Sequence, residues 1–166
     1  MYELKPLHRN ALPAALAKAE RYRLLNEPRE AESICRDVLA VDSASDEAKV
    51  LLILALSDQF PHRAASVWAE GVALVQLLHD QHARSYYRGI LHERRAKSRM
   101  KTGTVGARYG AYDDLRHAME CFEEAASCAP PGDDGALLRW NTCARILNAD
   151  PSLMPAPETN DGAMLE

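Results

Sequence analysis

The sequence predicts an all-α fold. Apolar residues recur at helical spacing along seven segments, and serine, aspartate, asparagine or proline stands where most of these segments begin. Hydrophobic residues make up 47% of the 166-residue chain but aromatic residues only 6%, which argues against a β-rich or low-complexity protein. The length suits one compact domain or a short repeat array.

The first two predicted helices form a hairpin. Asn10 is placed to cap the first helix, and Pro13 is tolerated in its first turn. Pro28 opens the second helix, because Asn26 and Glu27 interrupt the apolar pattern. Each helix has one apolar stripe, formed by Leu12, Leu16, Ala19 and Tyr22 in the first and by Ala31, Ile34, Cys35, Val38 and Leu39 in the second.

The third to fifth helices follow from similar signals. Ser45 caps a third helix that runs to about Ser57, and Pro61 starts a fourth that carries Trp68. The fifth begins near Asp80 and becomes increasingly basic toward its end, where cations complement the helix dipole.

The segment "KTGTVGARYGAY", residues 101–112, contains three glycines and predicts a flexible insertion. Asp113 or Asp114 is then expected to cap a sixth helix, which "APPGDDG" ends. "ALLRWNTCARILN" supplies a seventh helix with no partner after it. The predicted domain therefore spans residues 1–148, and residues 149–166 read as a disordered acidic tail because they combine prolines with acidic residues and show no periodicity.

A small, aromatic, small series marks the sixth helix. In "AMECFEEAASCAP", residues 118–130, Ala118 is followed four residues later by Phe122 and three further on by Ala125, with a proline at the end. This spacing resembles the second half of a tetratricopeptide repeat. Small residues at such positions let two helices touch, and Gly89 is expected to be one such contact point.

The series recurs along the chain, clearly at Ala64, Trp68 and Gly71 and more weakly at Ala31, Cys35 and Val38. Ala31 and Ala64 are 33 residues apart, close to the roughly 34 of the family period. From Ala64 to Ala118 the step is 54, so the insertion adds about 20 residues. The resemblance covers about residues 11–148 and extends to uncharacterised bacterial tetratricopeptide proteins. It implies a superhelix of about three helical hairpins plus a C-terminal solvating helix.

The resemblance also implies a non-enzymatic protein–protein interaction module. In such arrays the first helices of the hairpins line a concave groove that holds a peptide or a partner helix. No cofactor is expected, and the asparagine and lysine set of carboxylate-binding members is not evident. The groove candidates are Glu20, Arg23, Lys49, Tyr86, Glu93, Arg94 and Arg145.

The basic run "HERRAKSRMK", residues 92–101, allows an alternative function. A solvated helix end is the favoured interpretation, and a docking surface for an acidic peptide, a phosphate-bearing ligand or RNA is the alternative. The net charge of −4 gives the whole chain no electrostatic reason to bind nucleic acid, which argues against RNA.

A small hydrolase or metal enzyme is the alternative from another class. His79 and His82 flank Asp80, and four cysteines are present. A metal site needs further ligands, which the sequence does not place nearby, so no catalytic or metal-binding residue is predicted. The cysteines, Cys35, Cys121, Cys128 and Cys143, are expected to be reduced, buried scaffold residues.

The sequence suggests neither export nor a membrane span. The N-terminal residues have no apolar core of signal-peptide length, and the longest apolar run, residues 50–56, is far shorter than the roughly 20 residues of a membrane helix. A cytoplasmic protein is therefore expected, with a homodimer left open.

Overall fold

The computed structural model describes residues 2–157, apart from the side chain of Val105. A 3-10 turn, Arg9–Ala11, is followed by seven α-helices, and residues 2–157 contain no strand, which confirms the all-α prediction. The helices are α1 (Leu12–Leu24), α2 (Pro28–Val41), α3 (Asp46–Asp58), α4 (Phe60–Gln76), α5 (Gln81–Met100), α6 (Val105–Ser127) and α7 (Gly135–Ala149).

Local capping signals start several helices where the sequence predicts. Ser45 Oγ accepts a hydrogen bond from Ala48 N at 3.2 Å at the start of α3, and Asp80 Oδ2 accepts one from Ala83 N at 2.8 Å at the start of α5. Pro28 stands in the first turn of α2. Asn10 makes no such cap, because it lies inside the 3-10 turn that precedes α1.

The sixth helix starts earlier than predicted. The predicted caps at Asp113 and Asp114 are wrong, because α6 begins at Val105 and Thr104 Oγ1 accepts a hydrogen bond from Ala107 N at 3.3 Å. Residues 105–112 of the expected flexible insertion are therefore helical. The break is confined to residues 101–104, where Gly103 has a φ of 71° that suits glycine.

Consecutive helices pack against each other along the chain, and α3 also contacts both α1 and α5. One hydrophobic cluster lies among α1 to α4 and includes Leu91 of α5, and a second lies among α5 to α7. Small residues allow close approach at the expected positions, since Gly89 of α5 lies directly against the buried ring of Phe122 in α6. Gly71 of α4 contacts Leu91 of α5 in the same way.

The start of the predicted tail packs on the domain. Leu153 is only 5% exposed and belongs to the second cluster, and Arg108 Nη1 of α6 donates to Asp150 Oδ2 at 2.9 Å. Arg108 also hydrogen-bonds Ser152. Residues 150–153 therefore depart from the expected disordered tail, because Leu153 packs in the second hydrophobic cluster. Residues 158–166 of that tail lie outside the described residues.

Candidate functional site

Two of the predicted groove residues are buried and hold helices together. Lys49 Nζ of α3 hydrogen-bonds Asp46 Oδ1 at 2.9 Å, Ala44 O at 3.2 Å and Leu77 O at 3.3 Å. It thus bridges the start of α3 to the end of α4. The partner contact predicted for Lys49 has no support in this position, because its ammonium group is already inside the fold.

Glu93 is the second buried groove candidate. Its carboxylate is fully buried, is paired with Lys97 of the same helix and lies 3.4 Å from Arg139 Nη1 of α7. Burial alone would lower the pKa of Arg139, but the charge of Glu93 and the hydrogen bond to Tyr86 together outweigh that effect and raise the pKa. Glu93 therefore joins α5 to α7, and its burial gives no support to the predicted groove contact either.

The structure brings Arg23 and Arg94 together through one carboxylate. Asp58 Oδ2 accepts from Arg23 Nε at 2.8 Å, and Asp58 Oδ1 accepts from Arg94 Nη1 at 2.6 Å. Arg94 Nη1 also donates to Leu54 O at 3.0 Å and to Ser57 Oγ at 2.6 Å. Burial lowers the pKa of Arg94, although Asp58 opposes that effect. The two arginines connect α1, α3 and α5.

The other three candidates do not complete a groove. Tyr86 is half-buried and packs on Tyr87 and Phe122, with ring centroids 5.2 and 5.9 Å apart. Glu20 on α1 and Arg145 on α7 are exposed. Of the seven predicted residues, only these two are fully exposed, and they stand on the first and last helices.

The basic run is mostly paired with acids of the same chain. His92, Arg95 and Arg99 surround Asp114, while Arg94 is paired with Asp58 and Lys97 with Glu93. Lys101, at the end of the run, is exposed. The run is thus neither the solvated helix end that the sequence favours nor a stripe of free cations, because three carboxylates, those of Asp58, Glu93 and Asp114, pair with its cations.

Asp114 is the centre of this ion-pair cluster. It is 1% exposed, and Arg95 Nε lies 2.9 Å from its Oδ2. His92 Nδ1 lies 3.0 Å from Oδ1, and Arg99 Nη1 lies 2.9 Å from Oδ2. Burial alone would raise the pKa of Asp114, but hydrogen bonds from His92 and Arg95 and the arginine charges outweigh it and lower the pKa.

The histidines considered for a metal site point to different partners. His79 Nδ1 lies 2.9 Å from Asp46 Oδ2, and the same oxygen accepts from His79 N at 3.0 Å. These bonds and Lys49 lower the pKa of Asp46. His82 Nδ1 lies 2.9 Å from the carbonyl oxygen of Ala125.

Three of the four cysteines are buried, as predicted. Burial raises the pKa of Cys35 to about 11 and that of Cys143 to about 12, and it also raises the pKa of Cys121. Cys128 is exposed, so the prediction that it is a buried scaffold residue is wrong. It follows the last residue of α6, where the chain leaves the packed face of the helix.

A surface that the groove prediction missed lies between the last two helices. An open apolar cleft of about 270 Å³ is bordered by Phe122, Glu123, Ala126, Leu137, Trp140 and Asn141, and is called the α6–α7 cleft below. Leu137 is 50% exposed and the neighbouring Leu138 is 64% exposed. The sequence signal was present in "LLRW", since a last helix with no partner leaves part of its surface uncovered.

The α6–α7 cleft has a rigid wall and an acidic rim. Trp140 Nε1 donates to Glu123 Oε1 at 2.9 Å, which fixes the indole beside the cleft. Glu120 and Glu124 are also exposed on α6, and Glu124 accepts from Gln81 at 2.9 Å. The acidic rim thus consists of Glu123, which lines the cleft, and Glu120 one turn before it, whereas Glu124 is held by Gln81 of α5.

Over the described ranges, no three His, Cys, Asp or Glu side chains are grouped as metal ligands would be. Likewise, no helix within residues 2–157 combines the length and apolarity needed to cross a membrane. Comparisons with protein-family models, curated proteins and solved structures give no match to this chain.

Proposed function

We propose that this chain is a tetratricopeptide-type, non-enzymatic interaction module that binds an amphipathic helix of a partner protein at the α6–α7 cleft. The observation that carries the proposal is the exposed apolar cleft with its acidic rim. Each helix packs against the next one, and α3 also packs against α1 and α5. These contacts between neighbours support a stacked array. The charged groove residues on the first helices do not support binding there, because most are occupied.

The cleft is built to hold an apolar anchor without rearranging. Phe122 at its base is fully buried against Gly89, and Trp140 is tied to Glu123. At about 270 Å³ the cleft is smaller than most small-molecule sites, which range over roughly 300–1,000 Å³. A large side chain from a partner helix suits this size, and a preformed wall reduces the ordering cost of binding.

The rim selects the charge of the partner. Glu123 is an exposed carboxylate that lines the cleft, and Glu120 is exposed one turn before it on α6. A helix with lysine or arginine flanking its apolar anchor would match them, whereas an acidic helix would meet like charges. The partner is therefore expected to present a basic amphipathic helix, read through anchors at helical spacing.

The test is affinity capture from lysate of the cells that express the protein, followed by cross-linking mass spectrometry. Two exposed leucines give a matched pair of variants: Leu137→Glu in the α6–α7 cleft, and Leu24→Glu on α1, where Leu24 is 81% exposed. Leu137→Glu and Glu120→Lys should each lose the captured protein, and Leu24→Glu should retain it. Circular dichroism checks that all three variants fold, as expected for exposed positions.

The cross-linked partner segment should be a basic amphipathic helix. Undiminished capture by Leu137→Glu would overturn the proposed site, and equal loss with Leu24→Glu would show non-specific apolar binding. An acidic or non-helical partner segment would contradict the chemistry that we assign to the rim.

A further inference from the structure

Two arginines of the basic run share a single carboxylate. Arg95 and Arg99 both pair with Asp114, whose third neighbour, His92, adds no negative charge. Two guanidinium charges against one carboxylate leave one positive charge uncompensated within this cluster. Arg94 shares Asp58 with Arg23, and Lys97 shares Glu93 with Arg139. Arg95 and Arg99 differ from these pairs because both border one open cleft.

The two guanidinium groups also retain free donors. Arg95 uses Nε and Nη2 for Asp114, which leaves its Nη1 without an acceptor among the described residues. Arg99 directs Nη1 to Gly110 O at 2.8 Å and to Asp114, which leaves its Nε and Nη2 free within the same part of the chain. Because a guanidinium carries five N–H donors in a fixed fork, both groups can bind a second anion while they hold Asp114.

Both arginines border an open cleft between α4 and α5. The cleft has a volume of about 300 Å³ and is lined by Ala64, Ala65, Trp68, Arg95, Ser98 and Arg99. Its lining divides into two halves: guanidinium and hydroxyl groups come from α5, and methyl and indole groups come from α4. This α4–α5 cleft lies outside the α6–α7 cleft of the proposed function and shares no lining residue with it.

The charged half of the cleft is held in place by packing. Arg95 Cζ lies 3.3 Å from the centroid of the Trp68 ring, so the guanidinium stacks on the indole. The edge of that ring meets His92, with centroids 5.1 Å apart, and His92 in turn contacts Asp114. Arg95 is thus fixed on one side by Asp114 and on the other by Trp68.

Arg99 is held in the open space beside Gly110, which has no side chain. A Cβ atom at Gly110 would lie 2.5 Å from Arg99 Nη1 and 3.1 Å from Arg99 Cζ. The space that glycine leaves open lets the guanidinium reach the carbonyl oxygen of Gly110. Any side chain at this position would push Arg99 away from its present place.

We propose that the α4–α5 cleft binds the phosphate group of a phosphate monoester. Arg95, Ser98 and Arg99 can donate to different oxygens of one tetrahedral anion, and charge-assisted guanidinium bonds are the strong kind. The carbon portion of the ester then lies against Ala64, Ala65 and Trp68. A free small phosphate ester and a phosphorylated side chain offer the same group, and the experiment below separates them.

The geometry favours one phosphate group over an RNA strand. The two arginines that share Asp114 both border one cleft, whereas RNA binding needs cations spaced along a backbone. A single phosphate group lacks the condensed counterion layer of a nucleic acid, so its affinity should depend on salt much less steeply than RNA binding does.

The experiment is titration of the folded protein with inorganic phosphate, O-phosphoserine, a phosphoserine peptide, its unphosphorylated form and a short single-stranded RNA. Binding is followed by NMR through the Trp68 indole and the arginine Nε–H signals. Saturable shifts of these signals with the phosphorylated probes, and none with the unphosphorylated peptide, are expected. Tighter binding of the peptide than of O-phosphoserine identifies a phosphorylated side chain as the source, and the reverse order identifies a small ester.

Two variants test the named groups against a control. Arg99→Gln removes one guanidinium and leaves Arg95 to hold Asp114, so affinity should fall about tenfold or more, the usual scale for one charge-assisted bond. Gly110→Ala keeps the charge and displaces Arg99, so it should also weaken binding. Arg145→Gln, an exposed arginine on α7, should leave affinity unchanged.

The proposal is overturned if the phosphorylated probes leave the Trp68 signal in place, or if Arg99→Gln and Arg145→Gln weaken binding equally. It is also overturned if the RNA binds more tightly than the phosphorylated probes, with a steep salt dependence that survives Arg99→Gln. That result would assign binding to other cations of the surface.

Discussion

Replacing Gly89 with alanine should destabilise the protein, although alanine is the better helix former. A Cβ atom at this position of α5 would lie 2.5 Å from Phe122 Cε1, 2.8 Å from Cδ1 and 2.9 Å from Cζ. All three separations are below the closest approach that carbon atoms normally allow. The ring of Phe122 is fully buried and already contacts Tyr86, so it has little room to withdraw.

Two opposing effects set the magnitude. Overpacking a well-packed core costs about 1–3 kcal/mol, and three short contacts place this site toward the upper end. Alanine returns about 1 kcal/mol relative to glycine inside a helix. The free energy of unfolding should therefore fall by about 1–2 kcal/mol. In a Phe122→Leu background the clash is relieved, so the same substitution should become neutral or stabilising by up to about 1 kcal/mol.

Urea unfolding followed by far-UV circular dichroism measures all four members of this double-mutant cycle. Gly106→Ala is the matched control, because a Cβ atom there meets no atom within 4 Å and the residue lies in the first turn of α6. The control should be unchanged or stabilised by up to about 1 kcal/mol.

The reasoning about close approach fails if Gly89→Ala is as stable as Gly106→Ala. It also fails if the effect of Gly89→Ala is the same with phenylalanine or leucine at position 122, because the clash would then not involve that ring.

Three further predictions concern other parts of the fold. Leu153→Ala should lower the free energy of unfolding by about 2 kcal/mol. Met154→Ala should change it little, because that side chain is 49% exposed. Equal effects of the two substitutions in urea unfolding would mean that residues 150–153 are not docked. Asp114→Asn should cost about 3 kcal/mol at pH 7, since it leaves two partly buried arginines without their carboxylate. The native pKa of Asp114 lies below its unfolded value near 3.9, so its contribution is complete above that pH and is lost as the pH falls. The gap between the variant and the wild type should therefore close with decreasing pH, and a pH-independent gap would contradict this assignment. Finally, a thiol reagent should modify Cys128 rapidly in the folded protein and the other three cysteines only after unfolding, which mass spectrometry of the labelled peptides would show.

Features that depend on neighbouring residues were predictable from the sequence. The caps at Ser45 and Asp80 act on backbone amides three residues ahead, so the local pattern contains both partners. Gly89 was expected to be a point of close helix contact, and it lies against Phe122 of the next helix. The all-α fold follows from such signals, summed along the chain.

Features that depend on distant partners were not predictable in the same way. A run of cations looks solvated in the sequence when its acidic partners are far away along the chain. Asp114 lies 19 residues after Arg95 and 22 after His92. The early start of α6 has a similar cause. Gly110 looks like a helix breaker in the sequence, yet it accommodates the guanidinium of Arg99 within a continuous helix.

The candidate binding surface was the hardest feature to predict. The groove residues were chosen by their expected place on first helices. In the structure, charged side chains of those helices are buried and connect one helix to another. Lys49 and Glu93 thus became structural. The exposed leucines of α7 lie on a helix whose outer neighbour is absent from residues 2–157, and this can be recognised only once the packing of α6 and α7 is known.

Site-specific photo-cross-linking tests the central claim, that a partner helix docks at the α6–α7 cleft, most directly. A photoreactive phenylalanine analogue would replace Leu137 in one variant and Leu24 in another, in the cells that express the protein. We predict a discrete covalent adduct from position 137, with the cross-link mapped to a basic amphipathic helix, and none from position 24. Adducts from position 24 alone, or no adduct from position 137, would contradict the claim.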